Sequence, residues 1–80
     1  MSGDGRREKF ANVDVIKSIG RRAAMRRAEL GASVAAVAKQ MGWSRQQLYK
    51  IEMGEVRITA DRLLQLAGIL EVPPGWFFEG

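Results

Sequence analysis

The stretch Val34-Ala-Ala-Val-Ala-Lys-Gln-Met-Gly-Trp-Ser-Arg-Gln-Gln-Leu-Tyr-Lys-Ile-Glu-Met53 constrains this chain more than any other part of it. Val37, Ala38 and Met41 fall three to four residues apart, so they share one helix face. Gly42 takes the left-handed conformation that ends a helix at little cost. Ser44 is placed to cap a second helix, with Gln47 three residues on able to close a capping box. In that helix Leu48 and Ile51 lie on the buried side, and Arg45, Gln46, Gln47, Tyr49 and Lys50 face outward. An apolar underside beneath an Arg/Gln/Lys outer face suits a helix that enters a nucleic-acid groove.

Composition closes off most other chemistry. Eighty residues make one small domain. With no cysteine and no histidine there are no disulfides, thiolate nucleophiles, histidine bases or common zinc ligands. The acids are scattered, and neither a Gly-rich phosphate loop nor an HExxH pattern occurs. An enzyme is therefore not expected, nor a cofactor or metal. Apolar runs are too short to span a membrane, and Met-Ser-Gly-Asp-Gly lacks the apolar core of a secretory signal. A cytoplasmic location is expected. The net charge of +4 favours polyanionic partners. Residues 1–30 hold eight Lys/Arg against four acids, whereas residues 31–80 hold five of each sign. The basic surplus thus precedes the central stretch.

Residues 1–11 are Gly-rich, polar and basic, and read as a flexible arm ahead of a domain over 12–80. The arm is either a plain terminus or a basic segment that touches phosphate or a minor groove. Asn12 or Asp14 is positioned to cap a first helix that ends at Leu30 before Gly31. Its apolar stripe is Ile16, Ile19, Ala23 and Leu30, interrupted by Gly20. Arg21, Arg22 and Arg26 crowd the other face, which reads as solvated and near phosphates. The stripe has no Trp or Phe, so a membrane surface is not the expected partner. Ser33 caps a second helix, Val34 to Met41, and small Ala38 lets the third helix cross close over it. Trp43 shields the corner between them. The third helix runs from Arg45 to about Met53 and stops at Gly54. Thr59 caps a fourth, lined by Leu63, Leu66, Ala67 and Leu70. Pro73-Pro74 fit the first turn of a short last helix carrying Trp76, Phe77 and Phe78.

These residues together resemble a known family. Ser33, Val37, Ala38, Met41, Gly42, Ser44, Leu48, Ile51, Glu52 and Gly54, then Leu63-Leu64-x-Leu66-Ala67 and Val72-Pro-Pro-x-Trp76-Phe-Phe, are similar to the Cro/CI-type helix-turn-helix over residues 16–80. That family includes lambdoid phage repressors and restriction-modification controller proteins. The resemblance implies an all-α, five-helix lambda-repressor-like bundle that binds operator DNA, commonly as a homodimer, with its third helix in the major groove.

By the same resemblance, base contacts come from Arg45, Gln46 and Lys50, with Gln47 a further candidate. The chemistry agrees, since Arg forks onto guanine, Gln pairs with adenine and Lys reaches guanine acceptors. Phosphate contacts fall to Ser33, Ser44 and Arg57, with Tyr49 added from the exposed face. Arg27 and Glu52 match an Arg/Glu couple that ties the first helix to the third. In one respect the chain departs from the family. Val34 stands where a Gln usually bonds a backbone phosphate, leaving only the helix-end N–H groups for that contact. Candidate dimer residues are Ile58, Pro74, Trp76 and Phe77, although Trp76 reads equally well as core.

The reading that results is a sequence-specific, double-stranded-DNA-binding transcription regulator. Its main rival is a protein-interaction module on the same scaffold, such as an antitoxin or an RNA polymerase partner. RNA binding ranks third, because the aromatics sit near helix corners and the C-terminus and form no stacking platform.

Overall fold

A computed structural model describes residues 5–79, with side chains from Asp14 onward. It contains α1 (Gly5–Glu29), α2 (Val34–Met41), α3 (Arg45–Glu52) and α4 (Ala60–Leu70), followed by a 3-10 helix, Pro74–Phe78. Among the described residues there are four α-helices, and the expected fifth is a short 3-10 helix. The cause is local. Neither proline can donate a backbone hydrogen bond, and the Trp76 and Glu79 N–H groups reach back three residues, to Pro73 and Trp76. The first helix also starts earlier than expected. Nothing from Arg6 to Val13 breaks a helix, so Asn12 and Asp14 lie within α1 and not at its start. Of the expected arm, residues 1–4 lie outside the described residues.

All four α-helices end in the same way. At each C-terminus one residue turns left-handed, and two backbone N–H groups then reach back to helix carbonyls. Gly31, Gly42 and Gly54 take that position at φ +69, +74 and +74, and Glu71 takes it at φ 62. A side chain in this conformation costs roughly 1–2 kcal/mol, part of which glycine gives back through its freer unfolded chain. Glu71→Gly is therefore expected to stabilise the domain by about 0.5–1 kcal/mol, raising the thermal midpoint by a few degrees. A fall in midpoint would show that the Glu71 side chain contributes more than its backbone costs.

The core is built from Ile19 and Ala23 of α1, Val37, Ala38 and Met41 of α2, Leu48 and Ile51 of α3, and the Leu63/Leu66/Ala67/Leu70 face of α4. Phe77 closes it from the 3-10 helix with no exposed surface. Leu30, expected in the α1 stripe, is instead exposed on the turn. Gly20 does more than interrupt that stripe. Its α-carbon faces the last turn of α3, where a Cβ would lie against the Ile51 carbonyl oxygen and 2.6 Å from that of Glu52. α1 and α3 therefore touch backbone to backbone.

The arginines of α1 are less solvated than the sequence suggests. Arg22 donates from Nε to the Trp76 carbonyl at 2.7 Å and stacks 4.0 Å from the centre of the Trp76 ring. Arg26 donates to the Leu70 carbonyl at 2.9 Å, and Arg27 to that of Ala32 at 3.1 Å. From α4, Arg62 donates to the Met41 carbonyl. The final carbonyls of a helix have no partner within it, and a guanidinium with five donors suits them. Arg26 and Arg62 thus close the ends of α4 and α2, while Arg22 and Arg27 tie α1 to the 3-10 helix and to the entry of α2.

Thr59 occupies the N-cap of α4 without a side-chain cap bond. Its hydroxyl serves Asp61 instead, and that bond is the first cause holding the Asp61 carboxyl below its usual range.

Candidate nucleic-acid interface

The junction of α2 and α3 is fixed by three small residues. Ala38, almost fully buried, lets the helices cross closely, and Gly42 turns the chain between them. Ser44 then starts α3, its Oγ accepting from the Gln47 N–H at 3.1 Å. The reciprocal half of a capping box is absent among the described residues. Ser33 does the same for α2, accepting from the Ala36 N–H at 3.0 Å. Both serines are exposed. Each hydroxyl accepts a bond from its own helix and keeps its proton for an outside acceptor.

With about 100° between successive residues of a helix, the faces of α3 separate cleanly. Leu48 and Ile51 point into the core. Gln46 and Lys50, four residues apart, form the row opposite them, with Arg45 and Tyr49 along one edge and Gln47 along the other. Arg45, Gln46, Tyr49 and Lys50 are exposed, and Gln47 is half-buried. No side-chain hydrogen bond or ion pair among the described residues occupies Arg45, Gln46 or Lys50. The row is therefore rich in donors and uncommitted.

The inner edge of α3 is held by charge. Arg27 meets Glu52 with two parallel bonds, Nε to Oε2 at 2.7 Å and Nη2 to Oε1 at 3.1 Å. The Nη1 group of Arg27 donates to the Ala32 carbonyl, so one guanidinium joins the last turn of α1, the entry to α2 and the last turn of α3. The Arg27 pKa is raised, first by the hydrogen bond to Glu52. Partial burial opposes the rise, and the attraction of Glu52 and Tyr49 adds to it.

Residues 24–77 match the family model described as helix-turn-helix. The chain belongs to the Cro/CI-type helix-turn-helix family. It is 40% identical over 74 residues, 92% of its length, to the uncharacterized HTH-type transcriptional regulator y4aM of Sinorhizobium fredii, of which it covers 50%. A second similar protein is the uncharacterized HTH-type transcriptional regulator R00410 of Rhizobium meliloti. There the identity is 39% over 76% of this chain and 44% of the relative. A third is the uncharacterized transcriptional regulator in the ATPase CF(0) region of Rhodospirillum rubrum, 40% identical over 75% of this chain and 56% of that protein. The chain spans about half the length of the curated relatives it matches.

In this helix-turn-helix domain the other candidate residues separate into distinct settings. Val34, at the position the family usually gives to Gln, is half-buried against the core, which accounts for its apolar side chain. Trp43 covers the corner, with the Arg62 guanidinium 5.3 Å from its ring. Arg57 is exposed in the loop after α3 and lines an apolar trough of about 240 Å³ with Val15, Ile16, Ile51, Val56 and Ile58. Ile58 is half-buried against the core, and Pro74 is exposed. Trp76 is half-buried between Arg22 and Phe77, meeting the Phe77 ring edge to face at 5.4 Å.

Phe77 must leave the candidate dimer surface. Its side chain is fully buried in its own core and has nothing to offer a second copy. Phe78 is the exposed aromatic there, at 53%. A 3-10 helix turns three residues per turn, so Trp76, Phe77 and Phe78 point three ways. Three consecutive aromatics carry no periodicity that marks which one faces inward. Among the described residues, no helix is long and apolar enough to cross a membrane.

Proposed function

We propose that this domain is the DNA-reading part of a transcription regulator and binds double-stranded DNA with α3 in the major groove. The observation that carries the proposal is the outward row of Gln46 and Lys50 flanked by Arg45, exposed and uncommitted on a helix whose inner side is fixed by core packing and by Arg27–Glu52. Arg45, Gln46 and Lys50 are the base readers, with Gln47 at the edge of reach. Ser33, Ser44, Tyr49 and Arg57 take phosphates. Those contacts orient the protein without reading sequence. The names of the similar proteins, all transcriptional regulators, favour the same role.

The domain works as a homodimer on a two-fold operator, with half-sites roughly 34–36 Å apart. The surface for a second copy includes Ile58, Pro74 and the exposed edge of Trp76, with Phe78 in place of Phe77.

Selection on random duplexes tests the proposal and reads half-site spacing directly. On the selected duplex, Arg45→Ala is expected to cost about 1–3 kcal/mol and to relax preference at one base position. Arg57→Ala is expected to weaken binding to all duplexes alike. Parental binding by both variants in a salt-controlled titration would overturn the groove assignment.

A further inference from the structure

The end of α3 carries one more cation suited to a DNA backbone. Lys17 of α1 lies against the turn that closes α3. A Cβ placed on Gly54 would sit 3.0 Å from the Lys17 Cγ and 3.1 Å from its Cα, so the stem of the lysine runs directly along the turn. Arg57 follows three residues later, exposed in the same loop.

A phosphate against Gly54 and Glu55 needs side-chain charge, because both of their N–H groups are already bonded to carbonyls of α3. The Gly54 N–H already bonds the Ile51 carbonyl at 3.1 Å, and the Glu55 N–H bonds that of Lys50 at 2.9 Å. The other described cations of α1 are used elsewhere. Arg22, Arg26 and Arg27 bond the carbonyls of Trp76, Leu70 and Ala32. Arg21 lines a separate cleft with Asp14, Ser18 and Phe78. Of these cations Lys17 is the one that is both exposed and set beside the end of α3.

We propose that Lys17 and Arg57 form a two-cation phosphate contact at the C-terminal end of α3, which fixes the docking of the domain on the DNA backbone without reading bases. The inference rests on the DNA-binding reading above.

The test is the salt dependence of binding by the full chain to its selected duplex and to a shuffled duplex of equal length. Each phosphate contact contributes about 0.9 to the slope of log K against log salt. Lys17→Gln is expected to lower that slope by roughly one and to weaken binding severalfold on both duplexes. Lys17→Arg restores the slope. Arg21→Gln removes the same charge from the other flank of α1 and leaves the slope at the parental value.

A Lys17→Gln protein with the parental slope overturns this inference alone, provided the parent binds. If Lys17 serves exposed Glu55 instead, Lys17→Gln lowers the thermal midpoint and leaves the slope unchanged, and that result also overturns it. An equal fall in slope for Arg21→Gln reduces the effect to net charge and overturns the local contact. A parent that binds no duplex removes the DNA reading together with the inference.

Discussion

Gly20→Ala is expected to be among the most damaging single-methyl changes available in this domain. The added carbon meets the main-chain oxygens of Ile51 and Glu52, with the Glu52 carbonyl carbon 2.9 Å away, and none of these atoms belongs to a side chain that can rotate aside. The helices must separate instead. Ile19 and Ala23 move with α1, and Leu48 and Ile51 with α3, so the core loosens on both sides of the contact. Overpacking of this kind costs about 3 kcal/mol, a large share of the stability of a small domain. At roughly 4–8 °C per kcal/mol for domains of this size, calorimetry should show a midpoint lower by roughly 10–25 °C.

The same substitution at Gly68 has the opposite sign. That glycine lies within α4, is exposed, and has nothing within 4 Å of an added Cβ. Replacing a helical glycine by alanine there gains about 0.5–1 kcal/mol. If Gly20→Ala melts within a couple of degrees of the parent, the backbone contact between α1 and α3 does not hold the fold as described.

The contrast between these two glycines marks where the sequence is legible. Gly42, Ser44, Leu48 and Ile51 are local signals, each needing only a few neighbours to be interpreted, and the α2–α3 pair follows from them. Gly20 carries no local signal. Its meaning depends on a carbonyl more than thirty residues away, so helical spacing presents it as a gap in a stripe. Arg22 and Arg26 are hidden in the same way. They look like a solvated basic face until α4 and the 3-10 helix bring the carbonyls of Leu70 and Trp76 to them. At the interface, the outward residues of α3 follow from periodicity, whereas the inward turn of Phe77 depends on the 3-10 geometry of a short proline-led segment.

Glu52→Ala tests the other tie between α1 and α3. The Glu52 side chain is 8% exposed and that of Arg27 is 19%, so removing the carboxylate leaves a guanidinium largely cut off from water with two donors unmatched. Breaking such a pair from one side costs roughly 3–5 kcal/mol, while replacing both partners by apolar groups of similar size is often close to neutral. Glu52→Ala and Arg27→Ala should each lower stability by about 3 kcal/mol. Arg27→Met combined with Glu52→Leu should lose much less than the two single changes together. With the matching single variants Arg27→Met and Glu52→Leu closing the cycle, urea unfolding measures the coupling, and a value under about 0.5 kcal/mol, the floor for residues in contact, would reject the pair as a structural tie.

The raised pKa of Arg27 fixes the direction of any pH effect. A cation whose pKa is higher in the folded state contributes fully below the unfolded value and loses that contribution only as pH rises through the folded one. For an arginine that window lies above the working range, so mild alkali leaves Arg27 charged and the cost of Glu52→Ala unchanged. Stability and recognition then separate. The apolar double variant keeps its core but loses the bidentate clamp on the last turn of α3. Its affinity for a selected duplex should therefore fall even where its thermal midpoint is close to the parental one, because the proposed base readers sit on a helix no longer held at that edge.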